Sequence, residues 1–229
     1  MPVYKDHSFR LGASAQGGDD VYEITQSIRF NPGDSGYMHR TPSSTGNRKT
    51  FTTSFWFKRG ELGTDMWLGG PNVSNSGYAY GIYLSSTNVL YVWIYYTGSA
   101  WQGQLYTNRL FVDPTAWYHL TLNVDTTNGV ASERVRLYIN GQRETSFSTE
   151  NYPTLNQDTS WNVSGTKMSI GSGDSNPAAS GAFNDGYLAE MHYLDGYAYG
   201  PEFFGKFDSF DNWIPIDYTG SYGTNGFHI

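Results

Sequence analysis

One stretch, residues 183–196, constrains the fold of this chain more than any other. It opens with Asp185-Gly186, a pair typical of turns because glycine tolerates positive φ and aspartate hydrogen-bonds its own backbone. A run of strand length follows and ends at Asp195-Gly196. Apolar residues occupy both of its alternating faces, which predicts a central strand covered on both sides. The predicted faces are Tyr187, Ala189, Met191 and Tyr193 on one side, and Leu188, Glu190, His192 and Leu194 on the other.

Similar patterns recur along the chain. Residues 51–57 place three phenylalanines on one face of a strand, which predicts that this face packs into a core. Residues 89–96 form a continuous β-branched and aromatic run, typical of a buried strand. Residues 135–139 alternate and lead into Asn140-Gly141, the strongest short signal for a hairpin with a type I′ turn. No long amphipathic helical pattern is present, so we predict an all-β antiparallel sandwich.

The segment after Pro201 gives a different pattern, with aromatic rings spaced as on one side of a helix. The rings are Phe203, Phe204, Phe207 and Phe210. Proline is favoured in the first turn of a helix, whereas Gly205 disfavours helix. We predict a short helical turn that packs on the sandwich.

Composition excludes several classes of function. The net charge is −7 and there is no run of lysine or arginine, whereas nucleic-acid binding requires a basic patch. Cysteine is absent, so the chain has no disulfide framework, thiolate metal site or cysteine nucleophile. Residues 1–20 lack an apolar core of a signal peptide, and no apolar run is long enough to cross a membrane. We therefore expect neither nucleic-acid binding nor membrane insertion.

The turn and strand after Asp185 resemble the closing strand of laminin-G-like, concanavalin A-like jelly rolls. Two further pairs of stretches carry the same resemblance: residues 26–30 with 51–58, and residues 117–122 with 135–141. The second pair, Trp-Tyr-His-Leu followed by Leu-Tyr-Ile-Asn-Gly, is the most specific. The resemblance covers residues 26–199, and residues 220–227 resemble the ends of such proteins in tailed bacteriophages.

This resemblance implies a domain organisation and a function. We expect an N-terminal arm over residues 1–25, a concanavalin A-like sandwich over 26–199, and an extension over 200–229 that packs on it. The implied function is that of a non-enzymatic structural protein of a phage virion, made in the host cytoplasm. It would decorate the capsid or tail through contacts with other virion proteins, as a homo-oligomer. The low fraction of charged residues, 15%, suits such packing.

Two alternatives remain open. The first is a lectin-like module that attaches the virion to glycans through exposed rings. Its candidate residues are Tyr78, Tyr80, Trp101 and Tyr106, although aromatic residues in a β-rich chain also serve as core. The second is a glycoside hydrolase, which requires two carboxylates flanking the scissile bond. The sequence shows no run of acidic residues on one strand face that would supply them.

Metal binding rests on few residues. The five histidines are scattered, with no close pair, so we expect no transition-metal site and no cofactor. Calcium takes carboxylates from loops, and Asp174 and Asp185 are the candidates; the alternative is that each only forms its turn. Glu190, in mid-strand, would need a partner if buried, and Arg134 or Arg136 could supply it.

Overall fold

The computed structural model describes residues 22–72, 81–96, 101–173 and 183–229. Its regular elements in these ranges are strands and three-residue 3₁₀ helices, at Pro32–Asp34, Ala131–Glu133 and Pro201–Phe203. The strands are β1 (Ile28–Phe30), β2 (Met38–Arg40), β3 (Thr50–Arg59), β4 (Met66–Asn72), β5 (Gly81–Leu84), β6 (Val89–Tyr96), β7 (Trp101–Leu110), β8 (Tyr118–Asp125), β9 (Val135–Ile139), β10 (Gln142–Arg143), β11 (Phe147–Asn151), β12 (Lys167–Ile170), β13 (Gly186–Asp195), β14 (Gly205–Phe207), β15 (Trp213–Pro215) and β16 (Phe227–His228). No helix in these ranges is long and apolar enough to cross a membrane.

The strands form two seven-stranded antiparallel sheets and one small hairpin. In the first sheet the order is β1-β13-β3-β8-β9-β10, and β16 also pairs with β13. In the second sheet the order is β11-β7-β6-β5-β4-β12-β2. The strands β14 and β15 pair only with each other in the described structure. The prediction of an all-β antiparallel sandwich is confirmed.

The core lies between the two large sheets and follows the alternation of the strands. Phe51, Phe55 and Phe57 of β3 point inward and are fully buried, as predicted. They meet apolar residues of the second sheet, including Leu68 and Ile82, in one cluster. Each such side chain contributes roughly 1.5–3 kcal/mol through burial. The predicted turn at Asn140-Gly141 is present too, with φ of 49° and 76°.

Strand β13 is central, as predicted, but its two faces differ from the prediction. Leu188, Met191 and Tyr193 point into the core, whereas Ala189 and Leu194 pack in clusters outside it. The cause is an irregularity between Ala189 and His192 in the pairing with β3. Glu190 has a φ of 49° there. This extra residue forms a β-bulge, which reverses the inward and outward positions that follow it.

The predicted helical turn after Pro201 is wrong beyond its first three residues. Only Pro201–Phe203 is helical, and the next residues form β14, which pairs with β15. Gly205 allows this pairing because a Cβ there would lie 2.4 Å from the Trp213 ring. As a result, Phe204 is buried while Phe207 and Phe210 are exposed.

The outer face of the first sheet is covered by the chain itself, through residues 22–27 and 196–226, which we call the covering segments. Trp56 and Ala189 on this face form one cluster with Ile24, against which Trp213 packs. Leu194 forms a second cluster with Phe204 and Tyr218. The covering segments therefore bury rings on a face that alternation alone assigns to the outside of the sandwich.

The carboxylate of Asp195 anchors the C-terminal covering segment. It is buried, with 6% of the residue exposed. Its oxygens accept hydrogen bonds from the backbone N–H of Asn47 (2.7 Å), the side-chain amide of Asn162 (2.6 Å) and the backbone N–H of Asn225 (3.1 Å). One side chain thus joins three segments that are distant in sequence.

Candidate functional site

The outer face of the second sheet carries a continuous group of aromatic rings, which we call the aromatic face. It consists of Trp67, Tyr83, Tyr91, Trp93 and Tyr106. These residues come from β4, β5, β6 and β7, which are neighbours in the sheet. They alternate with inward residues such as Met66, Ile82 and Leu105, so the period of two places every ring on the outer face.

Neighbouring rings on this face stack across the strands. The centroids of Trp67 and Tyr83 are 4.6 Å apart with an interplanar angle of 18°, and those of Tyr83 and Tyr91 are 4.8 Å apart at 14°. The ring of Tyr106 lies 4.0 Å from that of Tyr91 but is tilted from it by 57°. Aromatic cross-strand pairs of this kind each stabilise a sheet by up to about 1 kcal/mol. The result is a rigid surface rather than a set of independent side chains.

Trp93 has a different orientation from the rings around it. Its plane makes angles of 59° with Trp67, 56° with Tyr83 and 65° with Tyr91. The indole therefore lies across the stack instead of within it, and it remains partly exposed. Its Nε1 donates a hydrogen bond to the hydroxyl of Tyr106 at 3.1 Å, which fixes the ring.

Polar groups border these rings on the side of β7 and β11. The amide of Gln104 donates to the Tyr106 hydroxyl, and the Asn151 amide donates to Gln104 Oε1 at 3.4 Å. Burial raises the pKa of Tyr106 and of Tyr83, so both hydroxyls keep their protons at neutral pH. The face thus offers rings, hydroxyls and amides together.

Of the four rings predicted for sugar contact, Tyr106 lies on the aromatic face. Tyr78, Tyr80 and the side chain of Trp101 fall outside the described residues, so their roles stay predictions. The other rings of this face were not among the residues predicted for sugar contact: Trp67, Tyr83, Tyr91 and Trp93. Their alternation was visible, but the order β7-β6-β5-β4, which brings them together, was not.

Of the two calcium candidates, Asp174 falls outside the described residues and Asp185 lies within them. The Oδ1 of Asp185 accepts a hydrogen bond from Arg29 at 2.7 Å, so this carboxylate already has a positive partner. A calcium site at these residues remains a prediction.

The environment of Glu190 differs from the prediction. Its carboxylate pairs with neither Arg134 nor Arg136; its Oε2 lies 2.9 Å from Nε2 of His228 and 3.5 Å from Nε2 of His192. Arg134 instead bonds backbone carbonyls, and Arg136 bonds Asn123. The bulge turns Glu190 towards the edge of the sheet, away from both arginines. The pairing of β16 with β13 sets His192 opposite His228, so two of the five histidines lie together beside this carboxylate.

Burial acts to raise the pKa of Glu190. Hydrogen bonds from His192 and Tyr22, together with the electrostatic effect of the two neighbouring histidines, outweigh it, so the pKa of Glu190 lies below its ordinary value. Burial lowers the pKa of His192. Because the pKa of Glu190 itself is lowered, its carboxylate is ionised at neutral pH.

Comparison with solved structures identifies similar folds. The mouse laminin alpha1 chain, domains LG4-5, has a TM-score of 0.50 at 9% identity, covering 96% of this chain and 51% of that chain. A heptameric SAP-like pentraxin from Limulus polyphemus has a TM-score of 0.49 at 16% identity, covering 71% of this chain and 70% of that chain. Trypanosoma rangeli sialidase has a TM-score of 0.46 at 11% identity, and this chain spans 22% of its length. No curated protein sequence matches.

The family comparison covers more than half of the chain. The Laminin G 3 model, described as the concanavalin A-like lectin/glucanases superfamily, matches residues 32–197. This range includes all of the strands that build the aromatic face. The resemblance seen in the sequence to laminin-G-like jelly rolls is thereby confirmed, and the chain belongs to the Laminin G 3 family of the concanavalin A-like lectin/glucanases superfamily.

Proposed function

We propose that this chain is a non-enzymatic binding module and that its aromatic face binds an oligosaccharide. The observation that carries the proposal is the position of Trp93, whose ring lies across the stacked tyrosines beside the hydroxyl of Tyr106. The apolar C–H face of a sugar ring can pack on such an indole, while hydroxyl and amide groups around it bond the sugar hydroxyls.

The residues of this face support binding rather than hydrolysis. The strands β4 to β7 contain no aspartate or glutamate at any position. Hydrolysis of a glycosidic bond uses two carboxylates about 5–9 Å apart. A sugar seated on these rings would therefore meet aromatic and amide groups, and the strands beneath it would supply neither acid nor base.

A test compares two ring deletions on opposite sides of the molecule. We expect the wild-type protein to bind members of an oligosaccharide array with calcium supplied, and Trp93→Ala to lose that binding at least tenfold. Tyr138→Ala is the matched control, since Tyr138 is a partly exposed ring on β9 in the other sheet. A blank array for the wild-type protein, or equal binding by Trp93→Ala, would refute the proposal.

A second function, structural decoration of a tailed-phage virion, is favoured by a different surface. Phe203, Phe207 and Phe210, at and around the β14–β15 hairpin, are 40%, 45% and 68% exposed. Aromatic residues are enriched at protein–protein interfaces, so these exposed rings are candidates for contact with another protein. The assignment to a virion rests on the resemblance of residues 220–227 to the ends of phage proteins.

Electron microscopy of the native particle tests this second function, because it would locate the chain on the head or the tail. Phe210→Ser should reduce incorporation without unfolding the protein, since the ring is largely exposed. Deletion of residues 1–20, the predicted arm, should do the same. Full incorporation of both variants would count against decoration, while leaving sugar binding by Trp93 unaffected.

A further inference from the structure

The outer edge of β13 is shared by two short strands. At one end β1 pairs with residues Gly186, Tyr187 and Leu188, and at the other end β16 pairs with His192 and Tyr193. The bulge at Glu190 lies in the gap between them. This gap opens into a cleft of about 290 Å³, whose lining includes Tyr22, Glu190 and His228.

Three potential metal ligands meet at this gap. Glu190, His192 and His228 each offer one ligand atom, and these three atoms all lie within 4.8 Å of one another. The shared carboxylate oxygen is 2.9 Å from His228 Nε2 and 3.5 Å from His192 Nε2. With zinc–ligand bonds of about 2.0–2.1 Å, tetrahedral ligands lie roughly 3.3 Å apart, so both distances are close to the required spacing.

The hydroxyl of Tyr222 holds one of these ligands in position, and Tyr22 lies beside another, Glu190, in the lining of the cleft. The hydroxyl of Tyr222 lies 2.9 Å from Nδ1 of His192. When Nδ1 donates to that hydroxyl, Nε2 of His192 keeps its lone pair for a metal, as in metal sites where an outer partner fixes the tautomer. The positive φ of Glu190 is a strained backbone conformation of the kind found at functional sites.

We propose that Glu190, His192 and His228 bind one divalent transition-metal ion, with Zn²⁺ the best match. Two imidazoles and one carboxylate are ligands that zinc accepts, whereas calcium and magnesium prefer oxygen alone. The cleft leaves room for a water or an external ligand in the fourth position. The ion would join β16 to the bulge of β13, and its two histidine ligands, His192 and His228, are 36 positions apart in the sequence.

Binding requires one ring to turn. The imidazoles of His192 and His228 are parallel, 4.3 Å apart with an interplanar angle of 3°, and a metal must lie close to the plane of each ring. His228 is the ring that can turn, because its side chain is 40% exposed, whereas the side chain of His192 is 5% exposed and bonded to Tyr222. The ion would also displace the proton between His228 Nε2 and Glu190.

Calorimetric titration of the untagged, chelator-treated full chain with ZnCl₂ tests the site. We expect one ion per chain, and Co²⁺ in place of zinc should give the intense visible bands of a four-coordinate site. Loss of the imidazole in His228→Ala should weaken zinc binding by at least about 100-fold, and Glu190→Gln or Tyr222→Phe by about 10- to 100-fold. His228→Ala should unfold at close to the wild-type temperature without metal, since 40% of this side chain is already exposed to water.

His39→Ala is the matched control, because His39 is an exposed histidine on β2 in the other sheet. It should bind zinc as the wild type does. The proposal is overturned if zinc does not bind the wild-type chain at millimolar concentration. It is also overturned if His228→Ala binds zinc with unchanged affinity, or if Ca²⁺ competes on equal terms.

Discussion

The outer faces of the two sheets carry similar residues but differ in how far these residues are exposed to solvent. Both present large aromatic rings at alternating positions. On the first sheet, Trp56 is 3% exposed because the covering segments pack over it. On the second sheet, Trp93 and Tyr91 remain partly exposed. The difference shows that ring content alone does not identify a candidate binding surface: what matters is whether other segments of the chain pack over the rings, as the covering segments do on the first sheet.

Polar residues of the first sheet also lie beneath the covering segments, which supply hydrogen-bond partners to them. His119 is 1% exposed, yet both ring nitrogens are bonded: Nδ1 accepts from Trp213 Nε1 at 3.0 Å, and Nε2 lies 2.8 Å from the Ser54 hydroxyl. The amide of Asn123 donates to a backbone carbonyl of the covering segment, that of Tyr199. The covering segments thus satisfy polar groups that would otherwise need water.

Deleting one indole from each face should produce the largest contrast. Trp56→Ala leaves a cavity under the cover and should cost about 3–5 kcal/mol of unfolding free energy. Trp93→Ala removes a partly exposed ring and should cost about 1–2 kcal/mol, because less buried area is lost. Urea denaturation of both variants measures the difference, and equal costs would mean that the two faces are equally covered.

Releasing the cover should have the next largest effect. Asp195→Ala leaves the N–H groups of Asn47 and Asn225 and the Asn162 amide without their acceptor, which should cost about 3 kcal/mol. The control is Asp158→Ala, whose half-exposed carboxylate lies 3.8 Å from Arg48 and 3.9 Å from Lys49. Its loss should cost no more than about 1 kcal/mol in the same urea experiment. A small cost for Asp195→Ala would show that the cover does not depend on this anchor.

The pH dependence of the unfolding free energy should show the effect of His119, which is buried beneath the covering segments. Burial lowers the pKa of His119 to about 3, whereas an unfolded chain binds a proton near 6.5. The neutral, buried imidazole of His119 therefore contributes fully to the unfolding free energy above pH 6.5. This contribution is lost as the pH falls towards 3, by at most about 1.4 kcal/mol per pH unit. Unfolding free energies between pH 7 and pH 4 should fall more steeply for the wild type than for His119→Gln. Identical slopes would place the histidine in water.

Removing single hydroxyls should give the smallest effects, of opposite sign. Tyr106→Phe takes the acceptor from Trp93 on the open face and should cost about 0.5–1 kcal/mol. The hydroxyl of Tyr193 is buried in the core and has no hydrogen-bond partner among the described residues, so Tyr193→Phe should be neutral or stabilising. Thermal unfolding of the two variants checks this, and destabilisation by Tyr193→Phe would contradict it.

Local patterns predicted the sandwich well because its core strands obey simple alternation. The three phenylalanines of residues 51–57 and the Asn140-Gly141 turn needed no knowledge of distant residues. The bulge in β13 could not be predicted, since Glu190 is not a residue that favours positive φ. One unforeseen residue then changed the faces of Met191 and His192.

The candidate sites depended on contacts that no local pattern contains. The aromatic face requires the order of four strands, although the alternation within each strand was visible. The meeting of Glu190 with His228 joins residues 38 apart through the pairing of β16 with β13. Alternation also could not show that Trp56 is buried while Trp93 is partly exposed, because the cover over Trp56 comes from the two ends of the described chain.

The anchor at Asp195 also has a consequence for the order of folding. Its partners lie 148, 33 and 30 residues away, so all three hydrogen bonds can form only after distant strands have paired. Contacts of such long sequence separation are slow to form because long loops must close first. We therefore expect the cover over Trp56 to close late in folding, so that the outer rings of the first sheet stay exposed until the distant strands have paired.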